Sequence, residues 1–135
     1  MQTIRNFLKN DRFAAHNGIE LLEISQGRAK AKLDIRDYHL NGANIVHGGA
    51  IFALADLVFA AASNSHGTIA VAINANISFL KASAGGTLYA DAREISKNPK
   101  LGTYTIDVTN EDGDIIAVFQ GMVYRKKDKI EDFIK

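Results

Sequence analysis

The sequence predicts an α+β fold in which one long helix is wrapped by a curved antiparallel sheet of five or six strands. One observation is a long apolar stretch at residues 50–62, which Asp56 alone interrupts with a charge and which is long enough for a core helix. Another is that strand-like segments follow it, separated by short turns rich in Gly, Asn and Asp. Short turns favour antiparallel pairing, so the strands are expected to form one sheet that covers the helix.

The pattern in the first third of the chain predicts one short helix, a turn-like stretch and then two strands. Ile4, Phe7 and Leu8 have helical spacing, a turn-like stretch follows at residues 11–16, and Gly18 ends it. Residues 19–25 are short and apolar enough for a strand. The next strand alternates cleanly, since its charged positions alternate with the apolar Ala29, Ala31, Leu33 and Ile35.

The rest of the chain predicts the long helix and four further strands. After a polar loop at residues 36–46, a helix is expected from residue 50 to about residue 64. Strands are expected at residues 68–80, 87–96, 103–109 and 115–124. The turns at residues 85–86, 98–100 and 111–114 are interpreted as hairpins, and the charged tail 126–135 as a solvated end.

Composition narrows the function classes. The chain has 135 residues, 47% of them hydrophobic, which fits one domain over residues 1–135. Sixteen Lys and Arg against fifteen Asp and Glu leave no strong positive field, so no nucleic-acid partner is expected. The absence of Cys removes disulfides and thiolate metal sites and suits the cytoplasm. No secretory signal is recognised, and no stretch approaches the roughly 18 to 20 apolar residues that cross a membrane.

Asp56 is the first candidate catalytic residue. It is the only ionisable side chain inside a helix that is apolar on every side, and such a helix is expected to be buried all round. A buried carboxylate needs either a hydrogen-bonding partner or a chemical role. Binding to a loop or a partner's backbone is the structural alternative.

The start of the same helix suggests a site for a developing negative charge. Gly48 and Gly49 come at its first turn, where amide N–H groups lack partners and the helix dipole is positive. A glycine there lets a carbonyl oxygen approach the backbone, as in an oxyanion hole. Gly48 and Asp56 are separated by about 12 Å along a helix, whereas reacting groups must approach within about 3.5 Å. If both act on one carbonyl, they must come from two copies of the chain, which predicts a homodimer with shared active sites.

The segment HLNGANIVHGGAIFALADLVFAAASN, residues 39–64, resembles the signature of hotdog-fold thioesterases of the PaaI-like type. The resemblance implies a helix wrapped by an antiparallel sheet, dimers joined edge to edge, often as dimers of dimers, and hydrolysis of acyl-CoA with no further cofactor. Carried over by position, Asp56 is the general base or nucleophile, and the Gly48 amide is the oxyanion-hole donor. Asn41 and His47 would position the water or the thioester on the other subunit.

Further substrate contacts are expected from the surroundings of these residues. Phe52 and Phe59 are placed on the Asp56 side of the helix, where they would line an acyl or aryl pocket. Gly49 follows the oxyanion glycine, Asn74 lies on a polar strand face, and Lys81 is a candidate for the nucleotide phosphates. In each case packing, a wet strand face or solubility is the structural alternative.

Other chemistries find less support in the sequence. The four His lack the spacing of a zinc helix, so no metal site is expected, and no G-x-S-x-G elbow of a serine hydrolase occurs. Two alternatives to the thioesterase remain: a non-catalytic acyl-CoA-binding module, and a hotdog dehydratase or hydratase. The dehydratase ranks lower because its H-F-x-G motif is missing.

Overall fold

The computed structural model describes residues 1–134. Two short helices open the chain, α1 (Gln2–Leu8) and α2 (Arg12–His16), and the long helix α3 spans Gly48–Asn64. The strands are β1 (Ile19–Ser25), β2 (Arg28–Asp34), β3 (Thr68–Phe79), β4 (Thr87–Lys97), β5 (Leu101–Thr109) and β6 (Ile115–Lys129). Short 3-10 turns lie at Asp37–His39 and Ile130–Phe133. Among the described residues, no helix is both long and apolar enough to cross a membrane.

The six strands form one sheet in the order β1-β2-β4-β5-β6-β3, and every neighbouring pair is antiparallel. Helix α3 contacts all of these strands, so the sheet curves around it. The inner face is apolar because alternate residues of β5, namely Tyr104, Ile106 and Val108, point towards the helix and are buried. The predicted fold class is therefore confirmed.

The connection between β3 and β4 differs from the sequence prediction. Gly85 and Gly86 were expected to close a hairpin, but β3 pairs with β6 at one edge of the sheet and β4 lies between β2 and β5. Residues 80–86 therefore cross the end of the sheet. Val46 donates its N–H to the carbonyl of Ser83 at 2.8 Å, which ties this crossover to the loop before α3.

The ends of several elements also differ from the prediction. Helix α3 begins at Gly48, and the turn-like stretch at residues 11–16 is helix α2, whose first turn is capped when Asp11 accepts the Ala14 N–H at 2.9 Å. Strand β6 continues to Lys129, and Ile130 beyond it is fully buried, so the segment interpreted as a solvated tail is largely structured. Its last residue, Lys135, lies outside the described residues.

Helix α3 is not buried all round in the single chain, contrary to the sequence prediction. Gly49, Phe52 and Asp56 are exposed along one side of it, and Ala53 and Ala60 on that side are half-buried. The opposite side packs on the sheet. Helical periodicity explains this pattern, because residues three and four apart share a face.

The two edges of the sheet differ. On β1, Glu20 and Glu23 form ion pairs with Lys32 and Lys30 of β2, at 3.8 and 3.9 Å. The six central residues of edge strand β3, 71–76, are exposed, and Val71 and Ile73 expose 42% and 54% of their surface. An exposed apolar edge of this length invites pairing with another strand.

Candidate active site

The first turn of α3 leaves one amide donor free. His47 has the extended backbone of an N-cap residue, and its Nδ1 accepts the N–H of Gly49 at 2.8 Å. The carbonyl of His47 accepts from Ala50 at 2.9 Å and from Ile51 at 3.3 Å. Within residues 1–134, no group accepts the N–H of Gly48. This donor stands at the positive end of the helix dipole, where it can stabilise an oxyanion.

The free donor belongs to a residue that lines a cavity of about 350 Å³. Asn41 and Lys81 line the same cavity, as do Ile51 and Phe79. Asn41 is held in a tight turn, because its Oδ1 accepts the N–H of Ala43 at 2.9 Å. Three of the residues expected from the sequence, Asn41, Gly48 and Lys81, are thus brought together.

Lys81 is not an isolated charge at this cavity. Its Nζ forms an ion pair with Asp114 Oδ2 at 2.6 Å, and Asn110 donates to the same carboxylate oxygen at 3.3 Å. The hydrogen bond and the charge of Asp114 raise the pKa of Lys81, which therefore stays protonated. A phosphate at Lys81 would have to share it with Asp114.

Asp56 lies on the exposed side of α3 and does not line the Gly48 cavity. The described residues supply it with neither a hydrogen bond nor an ion pair. Partial desolvation by the neighbouring residues nevertheless raises the pKa of Asp56 above its ordinary value, and the charge of Asp11 raises it further. A carboxylate with a raised pKa and no partner is suited to accept a proton or to attack a carbonyl.

The two aromatic residues predicted to line a pocket lie in different parts of the structure. Phe52 is 36% exposed on the Asp56 side and packs edge-on against Phe119, with ring centroids 5.2 Å apart. Phe59 is 2% exposed and packs against Tyr104 and Phe119 inside the core. Phe59 therefore does not share the Asp56 side of the helix, because its ring faces the sheet.

The remaining predicted residues lie elsewhere. His47 and Gly49 line a separate cavity of about 220 Å³ between α3 and α2, so the His47 ring has a capping role in this chain. Asn74 lies in a groove on the outer face of the sheet, where Asn76 and Gln120 are its neighbours. The structure does not bring these three residues to the Gly48 cavity.

Two residues near the site were missed by the sequence analysis. The ring of Phe79 lies directly beside Gly48, and Asp11 is close enough to Asp56 to affect its pKa. Phe79 could have been suggested by its place at the end of β3, two residues before the predicted site residue Lys81. No sequence signal points to Asp11, because its closeness to Asp56 arises from the packing of α2 beside α3.

Comparisons with known proteins decide the family. Residues 43–117 match the family model of the thioesterase superfamily, and these residues contain the Gly48 turn and Asp56. The chain belongs to the thioesterase superfamily. As a member of its PaaI-like, hotdog-fold group it is a thioester hydrolase, in agreement with the resemblance read from residues 39–64.

The similarity to individual proteins extends well beyond residues 39–64. A protein of Archaeoglobus fulgidus is 41% identical over 135 residues, covering 98% of this chain and 86% of that protein. The acyl-coenzyme A thioesterase PaaI of Escherichia coli is 35% identical over 125 residues, covering 92% of this chain and 89% of the relative. The E. coli PaaI structure aligns with a TM-score of 0.91 at 33% identity, over 95% of this chain and 94% of that one.

One solved relative carries a ligand. A Streptococcus mutans protein bound to acetyl CoA aligns with a TM-score of 0.78 at 25% identity, over 82% of this chain and 90% of that chain.

Proposed function

We propose that this thioesterase hydrolyses acyl-CoA thioesters to a free acid and coenzyme A, in an active site shared between two copies of the chain. The observation that carries the proposal is the Gly48 N–H, which has no acceptor among the described residues and belongs to a cavity that Asn41 and Lys81 also line. The name of the E. coli relative and the acetyl CoA of the S. mutans structure support the substrate class.

The Gly48 N–H and Asp56 have complementary roles in the proposed reaction. Attack on the thioester carbonyl places negative charge on its oxygen, and the fixed amide at the start of α3 stabilises that charge. Asp56 either takes a proton from the attacking water or attacks the carbonyl itself, forming an anhydride that water then cleaves. The thiol of coenzyme A leaves, and no separate cofactor takes part.

The proposed sharing follows from the helix and from the free sheet edge. Gly48 and Asp56 lie on one helix, separated by about 12 Å, so one copy does not bring both to the same carbonyl. The exposed apolar edge of β3 offers a surface on which two copies pair around a two-fold axis. Such pairing would cover Val71 and Ile73 and place the first turn of one α3 near the Asp56 of the other.

The proposal is tested by thiol release from acyl-CoA esters of increasing chain length. Asp56→Asn keeps the size of the side chain but removes its basicity, so turnover is expected to fall about 100-fold or more while acyl-CoA binding survives. Wild-type turnover in Asp56→Asn would return Asp56 to a structural role. Binding without turnover in the wild type would make the protein an acyl-CoA-binding module.

Subunit mixing tests the shared site. Asp56→Ala and Gly48→Pro subunits are each expected to be inactive as homodimers. After exchange in equal amounts, half of the dimers are mixed and each holds one intact site of two, so about a quarter of wild-type activity should return. If native mass spectrometry verifies the exchange and no activity returns, the shared arrangement is contradicted. A protein that light scattering shows to be monomeric and that is fully active would contradict it as well.

A further inference from the structure

The ring of Phe79 occupies the space that a side chain at position 48 would need. A Cβ added to Gly48 would lie 3.1 Å from Cζ of Phe79 and 3.4 Å from its Cε1. Non-bonded carbon atoms are most stable at about 3.5 to 4.0 Å, so this space is already filled. Gly48 has no positive φ, so the ring, rather than backbone conformation, favours glycine here.

The backbone that carries Phe79 is fixed on both sides. Phe79 is the last residue of β3 and pairs with Ala117 of β6. Immediately after it, Leu80 and Lys81 both donate their N–H groups to the carbonyl of Ile116, at 2.8 and 3.2 Å. The crossover that follows is tied to the loop before α3. These hydrogen bonds hold the end of β3 in a defined position beside the first turn of the helix.

We propose that Phe79 is a positioning residue of the active site, whose ring packs against Gly48 and sets how the thioester carbonyl approaches the Gly48 N–H. The inference rests on the proposed function, because it takes this N–H as the oxyanion donor. The ring walls the cavity beside the amide and restricts the carbonyl to one approach. Glycine at position 48 and Phe79 are therefore a matched pair.

The pair is tested with Gly48→Ala, Phe79→Leu and the double variant in the thiol-release assay. Gly48→Ala keeps the N–H but crowds the ring, so kcat should fall about tenfold or more. Leucine lacks the ring tip that the new Cβ meets, so adding Phe79→Leu should recover most of that loss. Phe79→Leu alone should lower kcat about two- to threefold with little change in KM.

Gly102→Ala is the matched control for crowding. Its Cβ would also lie 3.1 Å from an aromatic carbon, Cε1 of Tyr104, but Gly102 is on β5 and does not line the cavity. Gly102→Ala should therefore keep the wild-type kcat, although its thermal stability falls.

Two results would overturn the proposal: an equal loss of kcat in Gly48→Ala and in the double variant, or wild-type kcat in Phe79→Leu. The second still decides if Gly48→Ala fails to fold. The wild-type rate in the same assay tests the proposed function itself, and the ranking of the variants tests Phe79, so the two failures are distinguishable.

Discussion

The two ends of helix α3 are built in opposite ways. At its start, the Gly48 N–H has no acceptor within residues 1–134, and a cavity lies beside it. At its end, Asn64 donates to the carbonyl of Ala60 at 2.8 Å and accepts the N–H of Ala70 at 2.9 Å. Ser65 donates to the carbonyl of Ala62 at 2.6 Å and accepts from Gly27 at 2.8 Å.

The end of α3 at Asn64 and Ser65, called the closed end here, is also linked to the sheet by a polar cluster. Glu94 of β4 accepts hydrogen bonds from His66, at 2.7 Å, and from the buried Tyr104. The end of α3 is thus tied by side-chain hydrogen bonds to the turn between β1 and β2 and to β3, β4 and β5, while the start of α3 keeps one unpaired N–H donor. The end of the helix therefore anchors it to the sheet, and its start is available for chemistry. Variants at the end should change the free energy of unfolding, and variants at the start should change kcat.

The largest effect is expected from Gly48→Pro. Proline is accepted at the first helical position, and His47 before it has ψ 135°, which suits a residue that precedes proline. The substitution removes the N–H, so kcat should fall about 100- to 1000-fold, the usual cost of losing one oxyanion donor. Steady-state kinetics on folded protein, verified by circular dichroism, measures this loss.

Gly48→Ala is the control, because it adds the same Cβ beside Phe79 but keeps the N–H. A proline variant as active as the alanine variant would assign the oxyanion to another donor, such as Asn41 or His47.

Substitutions at the closed end should lower the stability of the protein and leave its turnover unchanged. Glu94→Ala leaves the hydroxyl of Tyr104, which is 1% exposed, and the ring of His66 without their shared acceptor. The free energy of unfolding should fall by about 1 to 3 kcal/mol, the usual cost of an unsatisfied buried polar group. Urea unfolding measures this change. A large loss of kcat at a temperature where the variant is folded would contradict the separation of the two ends.

Acid should lower the stability of the closed end because it protonates Glu94. Burial by itself raises the pKa of Glu94, but hydrogen bonds from Tyr104 and His66 outweigh it, and the pKa lies below its ordinary value. The folded state therefore holds the carboxylate ionised, and its contribution is complete above about pH 5. It is lost as the pH falls through the ordinary pKa and then the lowered one.

Glu94→Gln should be less stable than wild type at neutral pH, with a difference that shrinks as the pH falls below 5. Urea unfolding across this range measures it, and a difference that is independent of pH would contradict the assignment.

The smallest effect concerns the pH dependence of catalysis. The charge of Asp11 contributes to the raised pKa of Asp56, so Asp11→Asn should lower that pKa and move the acid limb of kcat/KM to lower pH. Asparagine also caps helices well, so α2 should remain folded. The opposite shift, or none, would mean that Asp56 is not the group that titrates in the free enzyme.

Much of this architecture was predictable because it depends on local patterns. The alternation after Ala29 identified β2, and the apolar run around Asp56 identified α3. The same run misled on burial, since a stretch of apolar residues does not reveal which side of the helix the sheet leaves uncovered. Phe59 was assigned to the wrong side for that reason. The crossover at Gly85 was mistaken for a hairpin because strand order depends on long-range pairing.

The sequence by itself determined the helices and strands, the family motif and the unusual carboxylate at position 56. The reason is that periodicity and turn formation depend on residues close together in the chain. Only the tertiary structure decided that Asn41, Lys81 and Phe79 meet at Gly48, that Asp114 holds Lys81, and that Asp11 lies near Asp56. These contacts join residues far apart in the chain, and they form only when the sheet closes around α3 and packing fixes the distances between elements.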